Sequence, residues 1–113
     1  MIIFSIAENV SDAGMDQHDF GAGYLQLIRY FQQNNPNVKL ICVSSFWNQA
    51  RTAKYISDIC AKNGFPLVEI YKISEDLTNT AWGTFANPAV GSHPSDKGML
   101  AIAESIWREV KKF

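Results

Sequence analysis

Three short, mostly hydrophobic runs decide what this chain can fold into: Met1 to Ile6, Val38 to Val43 and Leu67 to Tyr71. The first does not alternate polar and apolar residues, which is the pattern of a parallel strand covered by helices on both faces. Helical spacing fills the intervals. Phe20, Tyr24, Leu27, Ile28 and Phe31 share one face of a helix that stops at Asn34-Asn35-Pro36-Asn37, and Ala53, Ile56, Ile59 and Cys60 form the inner face of a second, ended by Asn63-Gly64 ahead of Pro66. The clearest helix follows Ser95, with Met99, Ile102, Ala103, Ile106, Trp107 and Val110 at i, i+3, i+4, i+7 and expected on its buried face. Ser95 is placed to cap it, Asp96 suits the positive end of its dipole, and Lys111 and Lys112 suit the negative end.

The order β-α-β-α-β-loop-α predicts one α/β domain over residues 1–113, with a parallel sheet of about three strands and helices on both faces. Residues 7–19, rich in turn formers, are expected as an exposed loop at the C-terminal end of the first strand, the ligand side of such sheets. Residues 72–92 form a long connection carrying Trp82, Gly83, Phe85 and Pro88, expected as a functional loop. A sheet this small leaves the backbone of a hydrophobic strand unpaired. Either strands from a missing N-terminal segment or a second copy of the chain is therefore expected to cover that edge.

Composition narrows the classes of function. Ten basic residues against eleven acidic ones give a net charge of −1 without a basic stripe, so neither nucleic acid nor a membrane surface is an expected partner. The opening hydrophobic run is too short for a signal peptide or a span and lacks a basic leader. Cys42 and Cys60 stand in a predicted strand and a predicted helix, outside any ligand spacing, and read as small core residues. No Gly-rich phosphate loop follows the first strand, so a nucleotide-binding flavodoxin-like domain ranks last and no cofactor is expected. Asp12, Asp16, His18 and Asp19 are chemically suitable metal ligands but fit no known spacing; the expectation is a solvated loop without metal, with Asp19 capping the next helix.

The stretch Gly91-Ser92-His93-Pro94-Ser95-Asp96-Lys97-Gly98, followed by an amphipathic helix, resembles the last motif of the SGNH (GDSL-type) hydrolases. Ala7-Glu8-Asn9-Val10, directly after a hydrophobic strand, is similar to that family's third motif, Gly-x-Asn-Asp, and the Ser44-Ser45-Phe46-Trp47 turn resembles the end of its fourth strand. The resemblance implies a three-layer flavodoxin-like sheet that lacks its first strands, since the Gly-Asp-Ser nucleophile turn and the second motif's glycine are absent. It implies that His93 is the general base and Asn9 an oxyanion-hole donor, in a hydrolase of acyl or acetyl esters, carried on a carbohydrate or another small molecule. Ala7 and Val10 replace the motif's glycine and aspartate. Val90 stands where the family's orienting aspartate would be, so a backbone carbonyl holding the Nδ1–H of His93 is the arrangement that would allow a Ser-His dyad. The chain by itself is expected to be inactive.

Each of these residues has a plainer reading. A histidine before a proline also serves as a loop or cap residue, and Asn9 as a turn former. Trp47 and Trp82 are either loop packing or a stacking wall for a sugar or acyl group. Ser44, Ser45 and Ser92 lie on no tight strand-to-helix elbow and read as turn or capping residues. The alternative function is a non-catalytic interaction or self-association module that uses the open strand edge.

Overall fold

The computed structural model describes residues 1–113 as a mixed α/β fold around one parallel sheet. Strands β1 (Ile2–Phe4), β2 (Leu40–Val43) and β3 (Leu67–Val68) lie side by side in that order. Ile2 is level with Leu40, Phe4 with Cys42, and Val43 with Val68. Two helices return the chain between strands, α2 (Phe20–Gln33) and α3 (Ala50–Asn63). Both crossovers step in the same direction, and right-handed crossovers stepping one way put their helices on one face. That face holds a core of Phe4, Tyr24, Ile28, Leu40, Cys42, Ile56 and Cys60, with both cysteines buried and free. The last helix, α6 (Asp96–Val110), lies over β2 and β3 on the other face, where Ile102, Ile106 and Val110 meet Ile41, Val43, Val68 and Ile70. No helix is long and apolar enough to cross a membrane.

Local chemistry explains where these elements begin and end. Asp19 caps α2 by accepting the Ala22 N–H at 2.9 Å. Gly64 ends α3 at φ 69°, a left-handed conformation that glycine adopts without a Cβ penalty. Ser95 caps α6 by accepting the Gly98 N–H at 3.2 Å.

Several expectations are corrected. The strands are shorter than the hydrophobic runs: β3 ends at Val68 because the Ile70 N–H turns back to the Val68 carbonyl at 3.2 Å, and the chain then winds into α4 (Tyr71–Ser74). Residues 7–19 are not all loop, since α1 (Asp12–Gln17) forms there with Ser11 as its cap and Met15 buried. The first strand is covered on one face only. Ile3 is 45% exposed although its neighbour Ile41 is fully buried, because α6 is seated over β2 and β3. For the same reason Met99 and Trp107 are exposed at 56% and 58%, whereas Gly98 is buried against the chain below α6.

Candidate functional site

His93 leaves the short helix α5 (Pro88–Gly91) and precedes the cap of α6. Its backbone is held from both sides. The Ala81 N–H donates to the His93 carbonyl and the Ser95 N–H to the Asn79 carbonyl, each at 2.9 Å, so Thr80 and Pro94 form an isolated antiparallel bridge. Residues 77–79, a 3₁₀ turn, lie directly under the start of α6: a Cβ on Gly98 would sit 2.0 Å from the Asn79 carbonyl oxygen. Asn79 in turn donates its Nδ2–H to the Ile73 carbonyl at 2.9 Å. Lys97 reaches Asp76 at 3.1 Å and also contacts the Thr78 hydroxyl. The Thr78 hydroxyl and N–H, with Lys97, hold the Asp76 carboxyl down to about 2. A helix start fixed by so many backbone contacts gives the histidine beside it a defined position.

The ring itself meets a backbone acceptor. His93 Nδ1 lies 3.3 Å from the carbonyl oxygen of Val90. A carbonyl can only accept, so the contact is a hydrogen bond when Nδ1 carries the proton; in the neutral ring that is the tautomer with its lone pair on Nε2. Val90, three residues before His93, thus contributes its main chain.

Two clefts meet at His93. One, of about 600 Å³, runs along residues 81–96 and is bounded by Phe85, Val90 and Asp96. The other, of about 530 Å³, opens at the C-terminal ends of β1 and β2 and brings together Ser5, Glu8, Asn9, Trp47, Ser92 and His93 over a floor that includes Ile70 and Ile102. This is the side on which open α/β sheets bind ligands. His93, Asn9 and Trp47, far apart in sequence, share this second cleft. Trp82 lines neither: it borders a separate hollow of about 170 Å³ with Gly83, Phe85, Pro88 and Gly91. The Trp47 Nε1–H donates to the Ser92 carbonyl at 2.8 Å, tying the β2 loop to the histidine segment.

The candidate serines are committed to the main chain. Ser44 and Ser45 are buried, their hydroxyls donating to the Ser45 and Trp47 carbonyls at 3.0 and 2.8 Å. Ser92 donates to the Ala89 carbonyl at 2.9 Å. The acids of the first loop are likewise engaged. Arg51 pairs with Asp16 at 2.6 Å and holds its carboxyl below the usual range, while Asp19 caps α2.

Glu8 is a site residue that its own sequence position does not single out. Its Oε1 accepts the Phe46 N–H at 2.7 Å, and its own carbonyl accepts from Gln49 Nε2 at 3.2 Å. Burial raises its carboxyl above the ordinary range, against the lowering effects of the Phe46 N–H and the charge of His93. Its place beside Asn9 in the stretch Ala7-Glu8-Asn9-Val10 is the signal that could have found it. No protein-family model matches this chain, and neither does any curated protein or solved structure.

Proposed function

We propose that this chain is the histidine-bearing part of an SGNH-type ester hydrolase, with a flavodoxin-like sheet completed by strands that are not in this sequence. The observation that carries the reading is the His93–Val90 contact beside a cleft shared with Asn9. An imidazole whose Nδ1–H is held by a carbonyl offers Nε2 to a hydroxyl, as a Ser-His dyad requires. In the proposed reaction a serine attacks the ester carbonyl while His93 Nε2 takes its proton. Asn9 donates to the oxygen that becomes negative, and His93 then returns the proton to the leaving alcohol. Water repeats the sequence on the acyl-enzyme. The serine comes from a strand paired to β1, whose outer edge ends beside Ser5 and the cleft. Trp47 offers a flat apolar wall suited to an acyl group or a sugar ring.

Because the proposed nucleophile is external, residues 1–113 alone should not turn over 4-nitrophenyl acetate faster than free imidazole at equal concentration. Rapid turnover that disappears in His93→Ala would overturn the claim that the nucleophile lies elsewhere.

A second reading is favoured by a separate observation. The outer edge of β1 is unpaired, and Ile3, Met99, Leu100 and Trp107 are exposed apolar side chains. Unpaired strand edges and exposed apolar side chains promote association. On this reading the chain is an interaction or self-association module. Light scattering should then show a dimer or larger species, reduced to monomer by Ile3→Lys and untouched by His93→Ala; a wild-type monomer at high concentration contradicts it.

A further inference from the structure

We propose that Glu8 is a positioning residue for His93, its carboxylate balancing the positive charge that the imidazole carries after it takes up a proton. This rests on the hydrolase reading for its catalytic use, but the pairing can be tested without any ester chemistry. Of the eleven residues lining the cleft at the strand ends, Glu8 and His93 alone are titratable. Val90 supplies a neutral carbonyl where a carboxylate would ordinarily stabilise the imidazolium, so Nδ1 of the ring meets no carboxylate. The groups facing His93 from the packed elements are few. Glu8 comes from the loop after β1 on one side, and Asp96, at the start of α6, borders the other cleft. The β2 loop brings only Phe46 and Trp47 to the cleft. Lys97, on α6, is engaged with Asp76 and Thr78.

Glu8 is also anchored as a positioning group must be. Phe46 N–H fixes one carboxylate oxygen, Gln49 fixes the backbone of Glu8, and the second oxygen is free of protein donors. Half-burial strengthens its interaction with a charge across the cleft relative to one across open water.

The test uses carbon-13 NMR of the Glu8 side-chain carboxyl as a function of pH. In wild type its midpoint is held down in part by the charge of His93, so in His93→Asn the midpoint should move up, while in Asp96→Asn it should stay where it was. A Glu8 midpoint that does not move in His93→Asn overturns the proposal and leaves Glu8 a bracket between two loops. Glu8→Gln keeps an acceptor for Phe46 N–H and should retain the fold by its NMR spectrum; a collapsed spectrum would show that the charge serves the fold and would also overturn the assignment. If Glu8 responds to His93 but no form of the protein ever hydrolyses an ester, the pairing stands and the hydrolase reading falls. Ester hydrolysis with an unresponsive Glu8 keeps the hydrolase reading and removes the pairing.

Discussion

Gly98→Ala is a one-carbon change that the fold should not accommodate. The added Cβ would lie 2.0 Å from the Asn79 carbonyl oxygen and 3.0 Å from its carbon, and the obstacle is backbone, which cannot rotate away. Either α6 or the 3₁₀ turn must move by about 1 Å or more, a form of overpacking that costs roughly 1–3 kcal/mol. The same movement strains the bond from the Ser95 N–H to that carbonyl, worth about 1 kcal/mol. Alanine returns at most about 1 kcal/mol as the better helix former. The net loss is roughly 2 kcal/mol, which for a domain of this size lowers Tm by on the order of 10 °C. Gly23→Ala is the internal control. Gly23 is the fourth residue of α2, with nothing within 4 Å of the site of its Cβ, so the change should stabilise the protein by up to about 1 kcal/mol. Thermal melts followed by circular dichroism measure both. A Gly98→Ala protein that melts at or above wild type would refute the close packing of α6 on the turn at Asn79, and with it the fixed position assigned to His93.

Other outcomes follow from the same contacts. The Asp76 carboxyl is held at about 2, below its ordinary value, so its interactions with Thr78 and Lys97 contribute stability above about pH 4 that is lost as the pH falls through about 2. Asp76→Asn should therefore melt below wild type at pH 6, with the gap closing between about pH 4 and pH 2; a gap of constant size across that window contradicts the assignment. Trp47→Phe deletes the donor to the Ser92 carbonyl and should cost about 1 kcal/mol, seen as a drop in Tm of several degrees. An unchanged melt would show that this tie between the β2 loop and the histidine segment carries no energy. Ile56→Ala removes a fully buried side chain from the core under α3 and should cost about 2–5 kcal/mol in urea unfolding, against less than about 1 kcal/mol if that core is loosely packed.

The features legible in the sequence are those whose causes are local. Ser95, Asp19 and Gly64 act within one turn of their own positions, and their caps and stop stand where residue chemistry puts them. The parallel order of the strands is legible too, because continuous hydrophobic runs separated by helices leave few other arrangements. The buried face of α6 is less so. Met99 and Trp107 have the right spacing, but burial also needs a neighbour, and α6 is seated over β2 and β3 with β1 left uncovered. The shortness of β3 likewise depends on one backbone bond, Ile70 to Val68, that no side chain announces. At the site, His93 and Asn9 stand out because they match the functional positions of stretches that resemble known motifs. Glu8 does not, because its surroundings come from Phe46, thirty-eight residues away, and the contact of His93 to Val90 is visible in the sequence only as a condition that a dyad would need.

The coding sequence immediately upstream of Met1, read in frame and expressed together with this chain, tests the hydrolase proposal most directly. The expected result is a hydrophobic strand ending in a Gly-Asp-Ser turn, and a product that hydrolyses 4-nitrophenyl acetate. His93→Ala should abolish that activity, and Asn9→Ala should lower kcat by roughly 10²–10³. An in-frame stop codon directly before Met1, or a longer product whose hydrolysis survives His93→Ala, would contradict it.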